Sequence, residues 1–209
     1  MHRQFFKKQI ILLTLQIEKA DSILLNQVGV YFQDLHNNQD ISEAMKKENN
    51  PVYDRNTLEF VTVALEYCTF VESANRSELL DFVDKATKIL PLLYLKASLL
   101  PAIEPDELFE PEMSVTEEMY ESVRSSIAAL LEDKDSYLDT FHPDMAYSET
   151  PIIAFISENL ADVYQDVGNF VSLFRQGNEF VMRETIGLCY QNFCNYWGQP
   201  LLNALKALH

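Results

Sequence analysis

Only five glycines punctuate this chain of 209 residues, and none of them follows an asparagine or an aspartate. Tight two-residue hairpins rely on Asn-Gly and Asp-Gly because their central positions need positive φ. The sequence is thereby turned away from an all-β fold. Apolar residues instead recur at steps of three and four, as in Leu58, Val61, Leu65 and Cys68, which is the period of an α-helix with one buried face.

Followed along the chain, that period outlines a series of helices. Residues 4–36 read as one or two helices through Ile10, Leu13, Ile17, Leu24, Val28, Tyr31, Phe32 and Leu35, and the polar stretch 36–54 reads as a linker. Asn56 with Glu59 is a capping-box pattern opening a helix to about Ser73, and Ser77 is placed to cap the next, which Pro91 should end or kink. "PAIEPDELFEPEM", residues 101–113, is an acidic loop, after which Ser114 with Glu117 opens a helix to about Leu131. Residues 132–149 read as a short helix or turn and then a loop. Thr150 and Pro151 signal the start of a helix running to about Gln176, with Gly177 as its left-handed stop. Asn178 caps a penultimate helix ending at Gly198, and Pro200 opens a short last one. The expected fold is all-α, an irregular bundle of seven to nine helices without a sheet. Residues 1–44 are an N-terminal helical extension and 45–209 a single all-α domain.

Four segments carry a family resemblance: "NNPVYDRNTLEFVTVALEYCTFVE" (49–72), "LPLLYLKASLLP" (90–101), "ISENLADVYQDVGNFV" (156–171) and "YWGQPLLNALKALH" (196–209). Together they resemble an uncharacterised helical family of Bacteroides-type bacteria, catalogued as a domain of unknown function. The resemblance covers about residues 49–209 and implies an all-α fold, with no activity and no functional residue attached. Chains of that family begin shortly before "NPVY", so Met45 is an alternative start and residues 1–44 a lineage-specific extension or an upstream mis-start.

Charge divides this chain unevenly. Of its net −16, the stretch from Ala97 to Phe174 holds 17 acidic residues against Arg124 and Lys134 alone, while the remainder is nearly balanced. Such a surface repels phosphate backbones and anionic membranes and attracts cations or basic proteins. Nucleic-acid and membrane partners are therefore not expected. The apolar run at the N-terminus is broken by Gln16, Glu18 and Lys19 and lacks a small-x-small cleavage site, so it is not read as a secretory signal. The run from Ile89 to Ile103 carries Lys96 and two prolines and reads as buried core rather than a membrane span. Cys68, Cys189 and Cys194 are odd in number and form no CxxC, which suits a reducing cytoplasm, and all three read as core cysteines.

The chemistry-bearing candidates are few. Within "ISENLADVYQDVGNFVSLF" (156–174), Glu158, Asp162 and Asp166 stand four residues apart. Ile153, Ile156, Leu160, Val163, Val167, Phe170 and Phe174 form the core stripe. At about 100° per residue Glu158 points away from it, whereas Asp162 and Asp166 lie about 130° and about 90° off, within reach of a covering helix. Arg183 or Arg76 is a candidate partner for the pair, and so, more weakly, is a divalent metal. No cofactor is otherwise predicted. "EEMYE" (117–121) and "EDKD" (132–135) are similar to the carboxylate motifs of all-α nucleotide pyrophosphohydrolases, but one helix would hold Glu121 and Glu132 about 16 Å apart. Asp139 with His142 has no second element to complete a metal or acid/base set. In "CYQNFCNYWG" (189–198), Tyr196 and Trp197 combine with neighbouring amides as a recognition surface would, or as a docked terminal helix would. The leading expectation is a non-catalytic, cytoplasmic protein-binding module, adaptor-like or immunity-like, that recognises a basic partner. The alternative is a metal-dependent small-molecule hydrolase using Asp162 and Asp166.

Overall fold

A computed structural model describes residues 50–139, 147 and 152–209. The expectations for residues 1–49, including the helices within 4–36, and for His142, Thr150 and Pro151 lie outside the described residues. Residues 50–209 form one compact unit.

The unit begins with a 3-10 turn, Pro51–Tyr53, that is packed rather than free. Val52 is buried, Thr57 Oγ1 donates to Pro51 O at 2.8 Å, and Tyr53 Oη donates to Glu179 at 2.7 Å. The end of the expected linker thus belongs to the domain. Helix α1, Arg55–Glu72, is capped by Asp54, whose carboxylate accepts the Asn56 N–H at 2.8 Å. Asn56 is therefore not the cap. Glu59 is drawn instead to Arg55 and to Lys96, at 2.8 and 2.6 Å.

A 3-10 turn at Ala74–Arg76 leads to helix α2, Leu79–Ser98. Ser77 does not cap it; the hydroxyl donates back to Ser73 O. Pro91 does not end it either. The missing N–H and the displaced carbonyl cost about 3 kcal/mol in a helix interior, but the ring is exposed while Phe82, Ala86, Leu90, Leu93 and Ala97 seat the opposite face in the core. Burial at about 25 cal/mol per Å² offsets one lost hydrogen bond. The apolar run 89–103 is accordingly core on one side only: Leu92, Leu95 and Leu99 are exposed.

Residues 101–116 form an irregular acidic strap. Helix α3, Glu117–Leu131, starts at Thr116, whose hydroxyl accepts the Met119 N–H at 3.2 Å, and buries Val123, Ile127 and Leu131. Ser114 is left out of the cap. Its N–H and that of Val115 both donate to Asn169 Oδ1, at 2.7 and 2.8 Å.

The all-α expectation is corrected after α3. A 3-10 turn, Glu132–Lys134, leads into strand β1, Ser136–Asp139, which pairs antiparallel with β2, Ile152–Phe155, Ser136 facing Phe155 and Asp139 facing Ile152. The absence of Asn-Gly and Asp-Gly excluded only tight hairpins. These strands are joined by residues 140–151, a connection long enough to need no such turn. Ile153, expected in the helical core stripe, lies in β2 and is exposed.

Helix α4, Ile156–Phe174, starts after the strand and not at Pro151. Its N-terminus is satisfied from a distance by buried Asp135: Oδ1 accepts Ser157 N–H at 2.8 Å, Oδ2 accepts Ser157 Oγ–H at 2.7 Å, and Asp135 O accepts Ile156 N–H. Ile156, Leu160, Val163, Val167, Phe170 and Phe174 are buried as their spacing predicts, and α4 packs against α1 and α3. Gly177, at φ +73°, ends the segment, and Asn178 Oδ1 accepts the N–H groups of Phe180 and Val181 to open helix α5, Glu179–Asn192.

The chain does not stop at Gly198. From α5 it passes through a π-turn, Phe193–Trp197, directly into helix α6, Gly198–Leu208. Pro200 has no N–H for Tyr196 O, and the wider turn ahead of it spaces out the carbonyls its ring would strike. Gly198 is required there because an added Cβ would meet Phe193 O at 2.4 Å. The expectation of seven to nine helices is corrected with that of no sheet: among the described residues there are six α-helices, the last two continuous through the π-turn, together with three 3-10 turns and a two-stranded sheet.

Candidate functional site

The two aspartates of α4 turn toward different neighbours. Asp162 Oδ1 accepts a hydrogen bond from Tyr120 Oη of α3 at 2.8 Å, and Asp166 Oδ1 accepts one from Asn192 Nδ2 of α5 at 2.7 Å. Among the described residues neither meets an arginine, Arg76 included. Arg183, one of the expected partners, instead donates to Glu184 at 2.5 Å. Desolvation raises the pKa of both aspartates, each against the lowering effect of its own hydrogen-bond donor, and Asp162 adds a small further rise at Asp166. Glu158 is exposed, as its place on the helix predicts. Among the described residues no group of three or more His, Cys, Asp or Glu side chains is placed to hold a metal ion.

Tyr120 and Arg124 extend the acidic face onto α3. Arg124 is held by Glu121, with Nε to Oε2 at 2.7 Å and a second contact through Nη2, and it feels the charge of Glu158 across the helix interface. Lys134 pairs with Asp133 at 3.2 Å. Both basic residues of the 97–174 stretch are thus already engaged by acids of the same stretch. The Tyr120 hydroxyl is pushed well above its ordinary pKa by burial and by Asp162, so it remains a donor.

The aromatic candidates separate. Trp197 is 1% exposed and packs on Phe193, whose ring meets Tyr94 of α2 edge-on with centroids 5.0 Å apart. Tyr196, one residue earlier, is 68% exposed. Trp197 is therefore a core anchor and Tyr196 a surface residue. The cysteines also separate: Cys68 and Cys189 are buried, while Cys194 is exposed and not core. Burial first, and Glu72 second, push the Cys68 thiol up to about 12, which keeps it protonated and unreactive at neutral pH.

Of the buried polar side chains that escaped the sequence reading, three accept distant backbone N–H groups. Asp135 caps α4, and Asn169 pins the strap at residues 114–115. Glu184, 1% exposed, accepts the Asp106 N–H at 2.5 Å beside its contact with Arg183 and ties the strap to α5. Close by, Ile103 O lies where only glycine fits at position 187, since a Cβ there would come within 2.6 Å. An amphipathic stripe predicts that polar residues face water; the partners here are backbone N–H groups far away in sequence. Under the strap an open cleft of about 480 Å³ runs along the α1–α4 contact and is closed on one side by Met119 of α3, with Glu72, Tyr164 and Arg175 among its lining.

Comparison with known proteins agrees with the resemblance in the sequence. A family model described as "Domain of unknown function (DUF5063)" matches residues 51–209. A crystal structure of protein BF1032 from Bacteroides fragilis is similar at a TM-score of 0.67 and 43% identity, covering 76% of this chain and 93% of that one. No curated protein matches.

Proposed function

The chain belongs to the DUF5063 family of domains of unknown function, and from that premise we propose that it is a non-catalytic protein-binding module, adaptor-like or immunity-like, whose acidic face recognises a basic partner. The observation that carries the reading is where the excess charge lies. Glu104, Asp106, Glu107, Glu110, Glu112, Glu117, Glu118, Glu121, Glu132, Asp133, Glu158 and Asp162 are all exposed. Arg124 and Lys134 each sit against one of these acids. Such a field speeds the encounter with a cationic protein and selects against polyanions.

Apolar anchors stand among the charges: Leu108 is 88% exposed and Met113 58%. An interface needs that mixture, because rim charges set encounter rate and orientation while buried apolar contacts hold the complex. Membrane attachment is no part of the reading; no helix among the described residues is long and apolar enough to cross a bilayer. A cytoplasmic setting is part of it and accords with three free cysteines.

The test is capture from a lysate of the source cells, with bound proteins identified by mass spectrometry at about 50 mM and about 300 mM salt. The reading expects a basic protein retained at low salt, released at high salt, and lost with Glu107→Gln/Glu110→Gln/Glu112→Gln. Retention of the same proteins by that triple variant, or retention indifferent to salt, overturns it.

A further inference from the structure

The cleft between α1 and α4 carries opposite charges toward its two ends. The helices run antiparallel: Phe60 packs on Phe170 with ring centroids 4.9 Å apart, while Tyr67 Oη reaches Leu160 O at 2.7 Å. Glu72, held by Tyr164 Oη at 2.8 Å, therefore marks one end of the groove, and Arg175 the other. Eleven residues of α4 separate Tyr164 from Arg175, about 16 Å at 1.5 Å per residue. Among the described residues neither Glu72 nor Arg175 forms an ion pair, although both face the same cleft. The walls between them mix the apolar side chains of Leu65, Val115, Met119 and Val171 with the hydroxyls of Thr69, Ser114 and Ser172. The Val115 wall is set by Gly168, where an added Cβ would lie 2.7 Å from Val115 Cγ2, so α4 and the strap meet as closely as backbone allows.

A groove of about 480 Å³ falls in the ordinary range for small-ligand sites. Its charge layout fits a ligand with a cation and an anion separated by roughly three to five extended residues at about 3.3 Å each, and an apolar body between them. We propose that this groove binds short apolar peptides with both ends free, the ammonium at Glu72 and the carboxylate at Arg175. The site adjoins the acidic strap through Ser114 and Val115, but it uses none of the strap's carboxylates and does not rest on the reading given to them.

The experiment is calorimetric titration of the full chain with Ala-Leu-Leu-Ala, its N-acetyl form, its C-terminal amide, and leucine alone. The free tetrapeptide is expected to bind. Each end-block should weaken binding about two- to fivefold, the worth of one exposed charge pair. In Glu72→Gln the effect of acetylation should vanish while that of amidation persists, and in Arg175→Gln the reverse, because each variant deletes one partner of one pair. Both side chains are exposed, so neither change should disturb folding, which far-UV circular dichroism checks. Binding in the triple variant at Glu107, Glu110 and Glu112 should equal that of the wild type. No binding at millimolar peptide, blocked ends that change nothing, or leucine binding as tightly as the tetrapeptide each overturns the proposal.

Discussion

Asp166 shows how a single side chain ties burial to pH. It lies in a partly desolvated position, four residues from Asp162 on the same helix, and Asn192 donates to it. Desolvation, the larger cause, raises its pKa above the unfolded value. The sign follows: stability linked to this group is fully present below the unfolded carboxylate pKa and is lost as pH rises through the folded one. Asp166→Asn keeps an acceptor for Asn192 and removes both the desolvated charge and the i,i+4 repulsion. It should raise stability at pH 7 by about 0.2–0.5 kcal/mol from the repulsion alone. Urea midpoints measured across the acidic range should show the gain shrinking as pH falls through the carboxylate range; a gain equally large in acid contradicts this account. Asp135 matters for a different reason: its oxygens are taken by N–H and O–H donors at the start of α4. Asp135→Ala should cost about 1–3 kcal/mol, since it orphans buried donors. Chemical denaturation measures that loss.

Among the described residues, the turn that follows α3 holds a strained backbone position. Glu132 follows the last turn of α3 at φ 52° and ψ −123°, a conformation that side-chain-bearing residues rarely adopt. Such positions cost of the order of 1–3 kcal/mol. Glu132→Gly should therefore stabilise the domain by up to about 1 kcal/mol, after allowance for the greater freedom of glycine in the unfolded chain. Differential scanning calorimetry decides the sign, and a lower Tm removes the strain argument. At the π-turn the expectation is reversed. Gly198→Ala brings a Cβ to within 2.4 Å of Phe193 O and should lower Tm by several degrees, a loss of about 1–3 kcal/mol. The same elements show where sequence signals misled. Pro91 and the Gly198/Pro200 pair are helix breakers in isolation, yet both lie within continuous helical backbone because flanking residues such as Leu90, Leu93, Trp197 and Leu201 are buried at 0–1% exposure.

For the whole molecule, the net charge of −16 opposes compaction. Raising salt from about 20 mM to about 300 mM shortens the Debye length to below typical surface charge spacings. Thermal stability should therefore increase with sodium chloride, and a flat or falling Tm would mean that local pairing already neutralises the acidic face. The charge layout was legible in the sequence because net charge adds along the chain without reference to fold. So were the face of α4, the stop at Gly177 and the cap at Asn178, each a local matter of period, φ or a side chain two or three residues away; on α1 the period of Leu58, Val61, Leu65 and Cys68 identified a helix but not its buried face, since Leu65 is exposed and Phe60, Ala64, Tyr67 and Val71 take the core. The strand pair, the remote capping of α4 by Asp135, the strap held by Asn169 and Glu184, and the groove ended by Glu72 and Arg175 were not legible. Each joins residues tens of positions apart, and only the packed chain decides which backbone donor meets which buried acceptor. The same division applies to the acidic row on α4: its spacing was a property of the sequence, but whether Asp162 and Asp166 would share a partner depended on the packing of α3 and α5, which placed Tyr120 against one and Asn192 against the other.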